Sequence, residues 1–489
     1  MSRRSICLPR FGFVLLCLVL PSASCAQQPF EASSGPLIAV DPYYPRLSFP
    51  RLITPRWVGE EGVEAVVVLA IDDMSDTAKY EGYLRPILNR LKAIDGRAPL
   101  SIMANRVKPD DPQLQAWLKE GLSIECHTLT HPCPLLQKGD FAEAARTYHG
   151  CIDLMSKIPG NRPVAFRMPC CDSMNTPSPR FYAEIFNKIS PEKKFLSIDS
   201  SVFMLFTPND PTLPRNLVTE PDGTERFRKY LPFPSFVNTI ENYPYPYVIG
   251  NLCWEFPCVV PSDWEGQNIL KPGNPKTLED LKAALDLVVL KQGVFNLVFH
   301  PYGWIENKQV VELIDHAVKT HGKKVKFLNF REAQERLNKN LLGGKSLRDE
   351  DGSDARIRLL ERQGKRTLEV VQVENEPDPE KRYPGLPDDI RRTLEAPGDQ
   401  GVRLVDIDED GHPDVVFSND RVYGIYLWNP KDQAWSRKVM AGKAGEPDAL
   451  PRIVRNGTDN GFFVHSRTLW WQNEDTAKLP DLVDRRRFN

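Results

Sequence analysis

Between about residues 64 and 337 the chain alternates short unbroken apolar runs with longer segments of helical spacing. Residues 65–71, rich in valine, predict a strand buried on both faces. Tyr83, Ile87, Leu88 and Leu91 recur at three- and four-residue intervals and predict a helix over 80–94. Residues 100–103 predict a second strand. Residues 112–120 predict a helix stopped by a C-cap at Gly121, and 122–125 a third strand. Further helices are expected over 141–156, 278–292 (with Thr277 as N-cap) and 310–320, and further strands over 164–166, 195–198, 296–299 and 325–328. This alternation is that of an α/β fold on a mostly parallel sheet. Polar residues with chemical potential repeatedly follow the strand ends: Asp72 and Asp73, His127, Arg167, Asp199 and His300. Active sites of α/β barrels sit at that edge.

Past residue 341 the texture changes. Gly343-Gly344 and Asp349-Glu350-Asp351-Gly352 predict a linker, followed by two short strands over 357–361 and 367–371. From Gly401 the pattern is β-rich, with strands expected at 402–405, 415–417 and 423–428 between Asp and Gly turns. The expected organisation is a signal peptide over 1–26, an N-terminal extension over 27–60, an α/β domain over 61–340, a linker with a small β segment over 341–400, and a β region over 401–489.

The chain's 489 residues exceed one ordinary core, and its 63 basic and 65 acidic residues leave no electrostatic footprint for a nucleic acid. At the N-terminus Arg3, Arg4 and Arg10 flank apolar residues 11–20, and Ser24-Cys25-Ala26 supplies small residues for cleavage. That pattern predicts export to a secreted or periplasmic location. A lipid anchor on Cys25 ranks second, because Ser22 stands where a bacterial lipobox carries a large aliphatic residue. No later segment has the roughly 20 apolar residues of a membrane-spanning helix. Seven cysteines follow the cleavage site, enough for one or two disulfides in an oxidising compartment, with connectivity left open.

His127 and His131 lie four residues apart, and the run ending in Asp72-Asp73 precedes them. Two imidazoles and one of the two carboxylates make a donor set for zinc or a related cation, and the other carboxylate remains as a base. Metal-assisted hydrolysis is the chemistry these residue types suit.

The motifs then become specific. Ala70-Ile71-Asp72-Asp73-Met74, His127-Thr128-Leu129-Thr130-His131, Arg167-Met168-Pro169-Cys170 and Leu297-Val298-Phe299-His300 resemble, in order, the first, second, third and fifth motifs of the polysaccharide deacetylase family. This is the NodB-homology domain, or carbohydrate esterase family 4. The resemblance spans roughly residues 60–335 and implies a distorted (β/α) barrel of seven or eight strands. It further implies Asp72 as catalytic base, Asp73, His127 and His131 as metal ligands, Arg167 as the residue that pairs with Asp72, and His300 as general acid. A backbone amide near Cys170 would face the oxyanion. Met74 and Cys170 depart from the family's glycine and aromatic. The fourth motif, Asp-x-x-Asp-Trp, is reduced to Asp199-Ser200-Ser201, with Trp254 and Glu255 as substitute partners for His300. Tyr302 and Trp304 are candidate sugar-stacking residues.

In the β region, Asp406, Asp408, Asp410 and Asp414, with the His412 carbonyl, carry the spacing of a calcium loop. The loop resembles an FG-GAP or VCBS repeat, so the smaller all-β region is expected to form part of a β-propeller. The expected function is an exported, metal-dependent amide hydrolase that removes an acyl group from an N-acylated carbohydrate. Zinc is the expected cation, with cobalt or nickel accepting the same donors, calcium occupies the C-terminal loop, and the β region attaches to a polymer or surface. A catalytically silent carbohydrate-binding protein and a hydrolase of small non-polymeric amides remain as alternatives.

Overall fold

The computed structural model describes residues 51–488 apart from short internal stretches, the longest being 172–178, 232–238, 349–356 and 371–382. The expected signal peptide, Cys25 and most of the N-terminal extension lie outside the described residues.

The strand Ala65–Met74 is the hub of a nine-stranded sheet. It pairs in parallel with Val294–Phe299, with Val325–Phe327 and with Ser101–Ala104. The sheet then continues through Ser123–Cys126, Ala165–Phe166, Ile198–Asp199 and Cys253–Glu255, all parallel. It ends on Tyr247–Ile249, which is antiparallel. Every residue of the hub but Asp73 is buried, because apolar side chains on both of its faces meet packed layers.

The helices begin and end where local chemistry dictates. Thr77–Asp95 starts ahead of the expected residue 80 because the Asp76 carboxylate accepts from the Ala78 and Lys79 amides. It stops at Gly96 in the left-handed region, and buries Tyr80, Leu84, Ile87, Leu88 and Leu91 against the sheet. Pro112–Glu120, Phe141–Ser156, Pro275–Lys291 and Asn307–His321 form the remaining long helices of the layer.

The expected barrel is corrected to a curled half-barrel. Among the described residues no ladder joins Tyr247–Ile249 to Val294–Phe299. The reason is chemical: Tyr243-Pro244-Tyr245-Pro246 crosses that opening, and proline has no N–H for a ladder. Isolated bonds span it instead. The Val294 amide donates to the Pro244 carbonyl at 2.7 Å, and Asn296 Nδ2 to the Phe256 carbonyl at 2.8 Å. A three-stranded parallel sheet of Phe203–Leu205, Thr239–Glu241 and Cys258–Val259 was not expected from the pattern. Its strands are two or three residues long, too short for periodicity to register.

The C-terminal region has a four-stranded antiparallel sheet in sequence order: Val402–Val405, Asp414–Ser418, Val422–Asn429 and Ala434–Lys443. One face packs with Phe462, Val464, Leu469 and Trp471, and the other with Leu386, Ile390 and Leu394. The helix Asp388–Leu394, within the expected linker, covers one face of this sheet. Trp470 and Val483 join the main core, and Arg180 pairs with Glu474.

Gly293 precedes the strand that meets Pro244, and a Cβ there would lie 2.4 Å from the Pro244 carbonyl oxygen. Gly293→Ala is expected to destabilise the chain by about 1–3 kcal/mol through overpacking, read as a lower urea midpoint at unchanged slope.

Candidate active site

The six residues of the four quoted motifs converge at the carboxyl edge of the sheet. A cavity of about 310 Å³ is lined by Asp72, Asp73, His127, His131, Cys133, Cys170, Trp264, Glu265, His300 and Trp304, among others. Asp72 and Asp73 are the penultimate pair of the hub strand, His127 directly follows Ser123–Cys126, and His300 directly follows Val294–Phe299.

Asp73, His127 and His131 each offer a donor atom, and the three lie within 4.8 Å of one another. Asp73 Oδ1 is 3.2 Å from His127 Nε2 and 2.8 Å from His131 Nε2. It is nevertheless a buried oxygen with no aligned hydrogen-bond donor. An oxygen flanked by two ring nitrogens but accepting from neither fits a shared cation better than an ion pair. His127 is fixed for that task, as its Nδ1 lies 2.8 Å from the Arg167 carbonyl oxygen, which leaves Nε2 facing Asp73. Asp73, Thr128 and His131 hold φ of 68°, 63° and 50°, a left-handed backbone that costs energy for non-glycine residues and concentrates at functional sites. Burial opposes ionisation of Asp73, yet the two imidazoles and His300 hold its carboxyl far below the usual range.

Beside this trio lies a fully buried ion pair. Arg167 Nη1 donates to Asp72 Oδ1 at 2.7 Å. The rest of the guanidinium is bonded as well: Nε to the Ser200 carbonyl at 3.0 Å, and Nη2 to Ser200 Oγ at 2.8 Å and Asn296 Oδ1 at 3.2 Å. Asp72 is thereby held from one side, and its carbonyl accepts from the Tyr80 hydroxyl.

His300 has its own carboxylate. Asp263 Oδ1 is 2.8 Å from His300 Nδ1, and Asp263 Oδ2 accepts the His300 amide at 2.7 Å. Burial acts to lower the imidazole's pKa, but Asp263, with Asp72 and Asp73, pushes it up to about 9, so the ring is protonated at neutral pH. A capping box between Ser262 and Glu265 fixes the start of the helix Asp263–Ile269 and with it the aspartate.

This corrects the assignment of the fourth motif. Asp199 does not reach His300. Its carboxylate accepts from the Tyr182 and Ser201 hydroxyls, both at 2.7 Å. Glu255 accepts the Val202 amide, and Trp254 is buried in the core behind the site. Burial pushes both acids up. The signal was present in Val260-Pro261-Ser262-Asp263-Trp264, which retains the motif's final Asp-Trp with Val260 in place of its first aspartate. Ser200 and Asn296 were missed because nothing local marks a residue whose role is to grip a distant guanidinium.

Trp304 lines the cavity, with its ring 4.8 Å from that of His300. Tyr302 stacks 5.8 Å from His300, with the Lys79 ammonium over its ring at 4.1 Å from the centroid, and is 41% exposed at the rim. Cys133 and Cys170 form a disulfide that ties the segment after His131 to the segment after Arg167. The remaining described cysteines, Cys126, Cys151, Cys171, Cys253 and Cys258, are buried thiols.

In the C-terminal loop, Asp406, Asp408 and Asp414 bring one oxygen each within 4.8 Å of the others. Asp410 is turned away, accepting the His412 amide at 2.9 Å with His412 Nδ1 at 3.3 Å. Burial, with Asp408 and Asp406 adding, pushes Asp414 up to about 7. Its two oxygens accept the Ile407 and Trp428 amides, which lock the loop to the sheet.

Residues 59–178 match a family model described as polysaccharide deacetylase. This is the segment that supplies Asp72, Asp73, His127, His131 and Arg167. Over 106 residues the chain is 31% identical to peptidoglycan-N-acetylmuramic acid deacetylase PdaC of Bacillus subtilis (strain 168), covering 22% of this chain and 21% of that protein. The match therefore spans about a fifth of that relative's length. Among solved structures, peptidoglycan deacetylase PdaC from Bacillus subtilis aligns at 16% identity with a TM-score of 0.32, covering 57% of this chain and 95% of that one. The polysaccharide deacetylase Bc1974 from Bacillus cereus aligns at 17% identity with a TM-score of 0.30, covering 54% and 91%.

Arg167→Met would leave Asp72 as a buried charge without its partner. The expected loss of stability is about 3–5 kcal/mol, measured by chemical denaturation of the metal-free protein.

Proposed function

We propose that the chain is an exported, metal-dependent deacetylase that removes an acetyl group from an N-acylated carbohydrate. The observation that carries the reading is one cavity holding three things: the Asp73, His127 and His131 donors, the Asp72–Arg167 pair, and the His300–Asp263 pair. Amide hydrolysis needs an activated water, a stabilised oxyanion and a proton for a poor leaving group. A zinc-like cation held by Asp73, His127 and His131 supplies Lewis acidity when bound. Asp72 accepts the proton of the attacking water, and Arg167 fixes the direction in which it does so. His300, carrying its proton above neutral pH, delivers it to the leaving nitrogen, and Asp263 holds the ring in place. Trp304, in the cavity wall, offers a flat face to a sugar ring, and Tyr302 offers its exposed edge at the rim. The similarity to a peptidoglycan deacetylase favours a cell-wall glycan as substrate and an extracytoplasmic location, in accord with the signal-like N-terminus.

The C-terminal loop is assigned to calcium on the Asp406, Asp408 and Asp414 cluster, and the region around it to attachment at a polymer or surface. A second reading, hydrolysis of a small amide, is favoured by one feature: the Cys133–Cys170 bridge lines the cavity where an aromatic of an open groove was expected.

Acetate release from N-acetylated chitin oligomers and from peptidoglycan, with and without a chelator, tests the proposal. Release that the chelator abolishes is expected. Release only from small amides selects the second reading, and metal uptake with no release from any substrate sinks both. Asp72→Asn is expected to keep its metal while kcat falls about 10²–10⁴-fold. Asp263→Asn removes the leading contribution that raises the His300 pKa, so the proton is lost at lower pH. The alkaline limb of the kcat/KM profile should move down, with kcat reduced about 10²-fold.

A further inference from the structure

Asp286, His316 and His321 form a second cluster of one carboxylate and two imidazoles, away from the active site. Among the described residues, two groups combine one aspartate with two histidines whose donor atoms all lie within 4.8 Å of one another. One is the catalytic trio and the other is this one. His316 Nε2 and His321 Nε2 lie 2.8 Å and 2.7 Å from the same oxygen, Asp286 Oδ1. We propose that these three residues form a second, structural site for a divalent transition metal of the zinc class, joining the helices Pro275–Lys291 and Asn307–His321.

Donor chemistry selects the class. Two imidazole nitrogens and one carboxylate oxygen suit zinc and its neighbours, whereas calcium and magnesium take oxygen shells. In the metal-free molecule each Nε2–H points at the carboxylate, along the line its lone pair takes once the proton sits on Nδ1. Uptake of the ion therefore replaces two N–H···O bonds with two nitrogen–metal bonds and one oxygen–metal bond; each neutral ring gives its Nε2 proton to water and takes one from water on Nδ1, so no net proton is released. The Thr320 hydroxyl oxygen, 3.4 Å from His316 Nδ1, stands ready to accept that proton's hydrogen bond. Donors spaced 2.7–2.8 Å apart need to open to about 3.3 Å around a tetrahedral ion with bonds of about 2.0 Å, a change that side-chain rotation supplies. The three side chains are 15–26% exposed, so an ion can enter from solvent.

Position supplies an independent argument. The strand Val294–Phe299 points toward His300, and the helix after it runs back, so His316 and His321 lie toward the opposite face. The helix before it runs into the strand's start, which places Asp286 at that face too. Features there serve stability rather than chemistry in α/β folds. His321 stands in the last turn of its helix, where the aligned peptide dipoles favour a cation. Lys282 is already paired with Glu312 across the same two helices.

The test is zinc titration of the full mature chain after chelation, in saturating calcium, with stoichiometry read by competition against a chromophoric chelator. The wild type should take two equivalents. Asp286→Asn/His321→Gln should take one while its deacetylase rate with one equivalent is unchanged, and His127→Ala should also take one, by losing the other site. The second equivalent should raise the thermal midpoint of the wild type and not that of the double variant. Should the double substitution fail to fold, His321→Gln alone should weaken the second equivalent about tenfold or more. A wild type that takes only the equivalent removed by His127→Ala overturns the proposal, as does a folded Asp286→Asn/His321→Gln protein that still takes two. Because the two variants empty different sites, failure of the catalytic-metal reading would appear in His127→Ala alone.

Discussion

The burial of one guanidinium organises the site. Arg167 belongs to the segment after Ala165–Phe166, yet its hydrogens reach Asp72 on the hub strand, Ser200 after Ile198–Asp199, and Asn296 within Val294–Phe299. A fully buried cation is tolerable only when its charge and donors are all matched. Four strand ends therefore have a single compatible arrangement around it. Its own carbonyl then fixes His127 through Nδ1, so the ion pair and the Asp73, His127 and His131 cluster are tied to the same residue.

Around that centre the structure divides labour between paired groups. Asp72 is held by Arg167 and His300 by Asp263, while Asp73 sits between two ring nitrogens. Each carboxylate thus meets a different neighbour: a guanidinium at Asp72, an imidazole at Asp263, and two imidazoles at Asp73. The left-handed conformations at Asp73, Thr128 and His131 show that this convergence overrides local backbone preference.

Much of the α/β region was legible. The apolar run of the hub strand reappears as the buried positions of Ala65–Met74, and Ile87, Leu88 and Leu91 lie in the buried face of Thr77–Asp95, with Tyr83 partly buried beside it. The motif residues were legible because they lie at or soon after the carboxyl ends of strands. Asp263 escaped, since it stands in the first turn of a short helix after a loop and its motif had lost the leading acid. The openness of the sheet escaped as well. It depends on which segment crosses the gap, and the Pro244 region shows its geometry only in three dimensions.

The sequence by itself determined the alternation of the longer strands and helices of the α/β region, the two acids and two histidines available to a metal, and the Cys count from which a bridge could form. Those follow from side-chain periodicity and residue type, which are local. Tertiary structure alone decided that Asp263 rather than Asp199 serves His300, that Cys133 meets Cys170, and that Asp286 faces His316 and His321. Such pairings join residues tens of positions apart. Only the packing of helices on a curled sheet, with the angles and depths it imposes, settles which side chains come within bonding distance.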